Sequence, residues 1–212
     1  MAHAYKLTYF DIKFVGKAEP IRMLLSYGGI PFEDVRIKYE DWSKVKHTYP
    51  LGQLPVLEID GKAIPQSKAI FRYLASLFKL DGKDVKENIT LDVAVETLLD
   101  LQTLTYQTMY VSDAVEKEEK LKKLKETTSL YFGKLEEYAK KHNGYISFER
   151  LSWADILFVC VYQLLANEVG KEAVDAYPSL LKVKKNVLAV KNINSWIKNR
   201  PALPGYDLKQ DL

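Results

Sequence analysis

The chain has 212 residues, 47% of them hydrophobic, and a net charge of +3. That length holds one large domain or two modest ones with a sizeable core. Its basic residues are interleaved with acids, as in Glu116-Lys117-Glu118-Glu119-Lys120, and not gathered into the patch that a nucleic-acid surface needs. Cys160 is the only cysteine, which excludes an intramolecular disulfide, a CxxC redox pair and a cysteine zinc cluster, and fits a reducing, cytoplasmic setting. The N-terminus lacks the apolar run of a signal peptide, and no window approaches about 18 uninterrupted apolar residues, so no membrane span is expected.

Residues 5–10 alternate around Tyr5, Leu7 and Tyr9 and read as a first strand. Gly16 to Pro20 punctuates the chain. Ile21 to Tyr27 has helical spacing and ends at Gly28-Gly29, as helices commonly do. Glu33 to Ile37 is a second strand. After a variable stretch, Val56 to Ile59 reads as a strand, Asp60-Gly61 as a tight hairpin turn whose residues tolerate positive φ, and Ala63-Ile64 as the return strand. Ser67 reads as the N-cap of a helix beginning at Lys68. This β-α-β then β-β-α order predicts a thioredoxin-like α/β domain over 1–79.

The polar run ending at Asn88 predicts a linker over 80–88. Beyond it, Ile89 to Tyr110 and Leu121 to Tyr138 carry apolar residues at helical spacing. Trp153 to Leu165 is apolar nearly throughout and reads as a buried central helix, and Leu180 to Val190 and Ile193 to Ile197 add further helices. The second domain, 89–212, is therefore expected to be all-α. Ser152 and Asp155 form a variant of the reciprocal box that closes a helix start, so Asp155 reads as structural and not catalytic. Cys160, inside the apolar run, reads as a small packed hydrophobe.

The most informative motif is Gln66-Ser67, about a dozen residues after Leu54-Pro55. A strand hairpin delivers a polar pair onto a helix N-terminus, where free N–H groups and the helix dipole attract a carboxylate. Together with Tyr5-Lys6-Leu7-Thr8-Tyr9-Phe10, Glu33-Asp34-Val35-Arg36-Ile37, Asp41-Trp42, Pro50-Leu51-Gly52-Gln53-Leu54-Pro55 and Trp153-Ala154-Asp155, in order along nearly the whole chain, it resembles the cytosolic glutathione transferases. The likeness is to the sigma class, insect enzymes above all, and extends to the haematopoietic prostaglandin D synthases of that class.

The resemblance implies a glutathione co-substrate, soft electrophiles such as halonitroarenes or lipid-peroxidation aldehydes, hydroperoxides as further substrates, and a homodimer. Its alternatives are a glutathione-dependent prostaglandin isomerase and a non-catalytic binding or structural relative. Tyr9 matches the tyrosine whose hydroxyl stabilises the thiolate. Pro55 is implied to be cis, presenting the backbone of Leu54 to the cysteinyl part. Gln66 and Ser67 would hold the γ-glutamyl end, and Trp42, Lys46 and Gln53 the glycyl end. Asp100 would act on the partner subunit's ligand. Phe10 and the loop to Lys17 would face Gln102, Tyr106 and Tyr110 across the electrophile pocket.

Three departures stand out. Lys17 falls where many members carry arginine, in a loop one residue longer, and lysine lacks the planar bidentate fork. The positions of the prostaglandin synthases' metal cluster fall on Glu96, Leu99 and Asp100, and Leu99 cannot be a ligand, so no metal is expected. The tail from Tyr206 to Leu212 is expected to reach over part of the electrophile pocket.

Overall fold

The computed structural model describes residues 3–212; Met1 and Ala2, the start of the stretch read for a signal sequence, lie outside it. Strand β1 (Tyr5–Phe10) leads through a loop to helix α1 (Glu19–Tyr27) and strand β2 (Phe32–Ile37). The variable stretch forms the short helix α2 (Trp42–Val45) among three 3₁₀ turns. Strands β3 (Val56–Ile59) and β4 (Lys62–Pro65) and helix α3 (Ser67–Leu77) complete a four-stranded sheet in the order β2-β1-β3-β4. β1 and β2 are parallel, and the other neighbours are antiparallel. The turn between β3 and β4 has positive φ at both Asp60 (50°) and Gly61 (81°), as the sequence predicts.

Helices α1 and α3 lie against the sheet because their apolar stripes, with Ile21, Leu24 and Leu25 on one and Ile70, Phe71 and Leu74 on the other, are buried with Leu7 and Leu57. Each such side chain stabilises the fold by about 1.5–3 kcal/mol on burial. α1 begins two residues earlier than its spacing predicts, at Glu19, with Pro20 in the first turn where its missing N–H costs nothing.

The second half is helical throughout: α4 (Val85–Met109), α5 (Ala114–Lys141), α6 (Trp153–Glu168), α7 (Lys171–Asp175), α8 (Pro178–Leu188) and α9 (Lys191–Asn199), with a 3₁₀ turn at Leu208–Asp211. The stretch read as a linker is half helical. Asp84 caps α4 by accepting from the Glu87 N–H at 2.8 Å, so 85–88 form the helix's first turn. α6 is the central helix, buried from Trp153 to Ala166, and its Ser152–Asp155 box is formed as predicted. The two halves are joined by Trp153 N–H to Leu80 carbonyl (3.2 Å) and by the ion pairs Lys68–Glu96 and Arg72–Asp92 between α3 and α4. Among the described residues no helix is long and apolar enough to cross a membrane.

Candidate active site

Sheet register gathers the motif residues at one end of the sheet. Thr8 pairs with Val56, and Val56 pairs with Pro65. One step beyond that row lie Tyr9 on β1, Leu54-Pro55 before β3 and Gln66-Ser67 after β4. Residues far apart in the chain thus share the crevice beyond the carboxyl end of β1, where open α/β sheets bind ligands.

Tyr9 is 8% exposed, and its hydroxyl oxygen accepts the Lys17 N–H at 3.3 Å. That contact uses a lone pair and leaves the hydroxyl hydrogen uncommitted. Burial raises the Tyr9 pKa, the Lys17 N–H opposing it in part, so the side chain is a neutral donor near pH 7. Gly16 makes the close approach possible: a Cβ there would lie 2.5 Å from Tyr9 Cε1. Beside Tyr9, Phe10 packs edge-on against Trp42 (centroids 5.2 Å), and Trp42 packs on Tyr49. Phe10 also carries the exposed Tyr39 ring.

The Leu54–Pro55 peptide is cis, in agreement with the resemblance. Among the described residues, the Leu54 N–H and C=O have no backbone partner, which leaves them free to pair with an extended peptide. Lys46 is exposed, and its aliphatic stem passes 3.1 Å from where a Gly52 Cβ would stand; Gln53, also exposed, follows directly.

Ser67 corrects the sequence reading. It is not the N-cap but the first residue of α3; the cap position is Gln66, whose side chain makes no cap bond. Gln66 sits at φ 75°, ψ 101°, a conformation costing a non-glycine residue about 1–3 kcal/mol and typical of ligand clamps. The result is a helix start with its N–H groups and the Ser67 hydroxyl uncommitted, the requirement for holding a carboxylate.

On the opposite wall, the Tyr106 hydroxyl donates to the Val15 carbonyl at 3.2 Å, and Phe14 packs on both Tyr106 and Tyr110. Burial pushes the Tyr106 pKa well up and raises that of Tyr110, which is further raised by Tyr39. Both tyrosines therefore remain neutral donors. Gln102 is only 2% exposed, its amide nitrogen unpartnered, so this wall's accessible surface comes from the tyrosines. Lys17 is exposed. An apolar groove of about 550 Å³ between α4 and α5 contains none of these residues.

The tail does not reach the cleft. Tyr206, Asp207 and Leu208 are buried, with Tyr206 held by Asn167 and Lys184 and Asp207 by Arg200. Gln163 and Asn167 on α6 and Lys184 on α8 hold the segment there. Asp100 is exposed on α4. Glu96 pairs with Lys68, and among the described residues no group of acids, histidines and cysteine is arranged to hold a metal. Cys160 is fully buried, its thiol 3.4 Å from the Met23 sulfur and pushed well up by burial, so it supplies no thiolate. Sequence reasoning missed Gly16 and Phe14 as individual contributors and Tyr39 altogether.

Residues 5–76 match the family model for the N-terminal domain of glutathione S-transferases, and residues 99–200 that for the C-terminal domain. A glutathione S-transferase of Anopheles gambiae is 39% identical over 198 residues, covering 93% of this chain and 97% of its own. The haematopoietic prostaglandin D synthase of Gallus gallus is 35% identical over 204 residues, covering 93% and 96%. Among solved structures, prostaglandin synthase D of Nilaparvata lugens superposes with a TM-score of 0.87 at 36% identity, covering 94% and 99%.

Proposed function

The chain belongs to the glutathione S-transferase family, and on that premise we propose that it is a sigma-class enzyme joining the glutathione thiolate to soft electrophiles. The observation that carries the reading is the Tyr9 hydroxyl, buried, neutral and oriented by the Lys17 N–H so that its hydrogen is free. A cysteine-like thiol has a pKa of about 8.5 and reacts as thiolate. A neutral donor aimed at sulfur favours the anion without adding a competing base. A hydrogen bond to a charged group contributes about 1.5–3 kcal/mol, or about one to two pKa units.

Glutathione lies extended across the sheet end in this reading. Leu54 pairs with its cysteinyl backbone; Gln66, Ser67 and the α3 N-terminus receive the γ-glutamyl carboxylate; Trp42, Lys46 and Gln53 hold the glycyl end. The electrophile enters between Phe10, Lys17 and the Tyr106–Tyr110 wall, with Gln102 behind it. Proximity and the lowered thiol pKa supply most of the rate. Halonitroarenes and lipid-peroxidation aldehydes are the proposed substrates, hydroperoxides a further class, and detoxification in the cytoplasm the proposed role. Apolar side chains exposed on α3 and α4, among them Tyr73, Leu77, Ile89 and Val93, support a homodimer in which Asp100 reaches the partner's ligand.

Retention on immobilised glutathione followed by a chloronitrobenzene assay tests the proposal. Binding with turnover supports it; binding without turnover favours a glutathione-binding protein; no binding removes the site. The likeness to prostaglandin D synthases favours a second reading, isomerisation of a prostaglandin endoperoxide with glutathione as cofactor. Turnover of prostaglandin H2 to the D isomer separates it from conjugation.

A further inference from the structure

Helix α1 starts with a buried acid that plays no part in the site as described. Glu19 is 5% exposed, and its carboxylate accepts from Arg200 Nη1 (2.6 Å), Trp196 Nε1 (2.9 Å) and Arg22 Nη1 (3.3 Å). Arg200, itself 4% exposed, also donates to Asp207 Oδ1 (2.6 Å) and Gln163 Oε1 (3.1 Å). Asp207 receives the Leu203 N–H at 2.8 Å. Two buried ion pairs in series thus tie the C-terminal segment to the first residue of α1.

On its other side, Glu19 closes the loop that shapes the tyrosine's surroundings. Its N–H donates to the Gly16 carbonyl at 3.1 Å, forming a tight turn through Lys17 and Ala18. Within that turn, the Lys17 N–H meets the Tyr9 hydroxyl, and Gly16 lies so close to the Tyr9 ring that a Cβ would stand 2.5 Å from Cε1. Wherever Glu19 is held, the donor to Tyr9 is held. Burial of a carboxylate is costly and is tolerated here only because both arginines and the indole surround it. Such an arrangement fixes position, because displacing any member leaves a charge buried without its partner.

We propose that Glu19 is a positioning residue for catalysis, and that the Asp207–Arg200–Glu19 chain lets the C-terminal segment hold the Gly16–Lys17 turn, and with it the Tyr9 hydroxyl, in register with the thiol. The inference rests on the reading of Tyr9 as the activating group.

The test is the pH titration of the thiolate of glutathione bound to the full-length chain, by ultraviolet difference absorbance, in wild type, Tyr9→Phe, Glu19→Gln, Asp207→Asn and the Tyr9→Phe/Glu19→Gln pair. Glu19→Gln keeps the shape of the side chain and removes its charge. The expected result is a midpoint raised by about half a unit to one unit, from a partly lost hydrogen bond to sulfur. Asp207→Asn moves it less, in the same direction, and the double variant moves it no further than Tyr9→Phe alone. The sign separates positioning from simple electrostatics, because removing a negative charge near the site favours the thiolate and lowers the midpoint. A midpoint unchanged or lowered in Glu19→Gln, with Tyr9→Phe still raising it, overturns the inference and leaves the function standing. If Glu19→Gln does not fold, an unchanged midpoint in Asp207→Asn overturns it equally. No shift in Tyr9→Phe removes the functional reading itself, and this inference with it.

Discussion

The Lys17 N–H donates to the Tyr9 hydroxyl oxygen at 3.3 Å, across a turn in which Gly16 has no room for a side chain. The tyrosine oxygen is therefore held by backbone, and its hydrogen has no acceptor among the described residues, at the sheet end where Leu54, Gln66 and Ser67 also lie. The proposed thiolate stabilisation depends on that one-sided commitment.

Gly16→Ala is expected to displace the Tyr9 ring, since the new methyl would stand 2.5 Å from Cε1 and 3.1 Å from the hydroxyl oxygen. Turnover at neutral pH should fall about tenfold or more, as the donor to sulfur is lost. Glutathione affinity, set by other groups, should change little. Steady-state kinetics beside a calorimetric titration check this; unchanged turnover means the loop yields without disturbing Tyr9.

Ser67→Ala separates binding from capping. Because Ser67 is the first helical residue and makes no cap bond, its removal should alter stability by less than about 0.5 kcal/mol, against about 1 kcal/mol for a lost N-cap. Loss of a hydrogen bond to the γ-glutamyl carboxylate should weaken glutathione binding about 10- to 100-fold. Urea denaturation and a binding titration give both quantities; a destabilised variant with unchanged affinity contradicts the assignment.

The contrast between those two residues indicates what was legible in the sequence. Alternating polarity in Tyr5–Phe10, the Asp60-Gly61 turn and the apolar run from Trp153 each express a local preference, and the corresponding elements formed. The cap position differs from the one that the sequence predicts, Ser67, because a Gln66 at positive φ defies local preference and is imposed by the surrounding fold. The Glu19–Arg200 contact joins residues 181 positions apart and leaves no periodic signal. The sequence alone predicts a tail over the cleft, because the groups that hold it elsewhere, Asn167, Lys184 and Arg200, lie on separate elements. Gly16 stood in plain view as a punctuation mark, but only the Tyr9 ring beside it explains why it is glycine.

Asp155 gives a pH prediction. Its carboxylate accepts from the Ile146 N–H (2.7 Å) and from the Ser152 N–H (2.7 Å) and hydroxyl (2.8 Å), yet burial outweighs these donors and pushes its pKa from 3.8 up to about 6. Between about pH 4 and 6 the folded chain retains a proton that the unfolded chain has released. This contribution to stability therefore declines as pH rises through that window, by up to about 3 kcal/mol, and is flat above it. Urea midpoints at about pH 4.5 and 6.5 should show wild type losing stability relative to Asp155→Asn as pH rises. The opposite slope means that the three donors hold the carboxylate ionised.

Asp100→Ala tests the dimer reading. Its carboxylate is exposed on α4, and in the proposed dimer it completes the neighbour's glutathione site. Exposed charge contacts contribute little and partly buried ones more, so glutathione affinity should fall modestly, by up to about tenfold, while the apparent affinity for the electrophile is unchanged. Light scattering on the active enzyme decides the context: a monomer with full specific activity contradicts both the dimer and this role.

The proposal that the Tyr9 hydroxyl lowers the thiol pKa of bound glutathione is tested by the thiolate titration of the binary complex in wild type and Tyr9→Phe. The midpoint should be raised by about one to two units in the variant, with fold and glutathione affinity nearly intact and turnover at neutral pH reduced about tenfold or more. A midpoint that does not move, in a variant that still binds glutathione, contradicts it and removes Tyr9 from the mechanism.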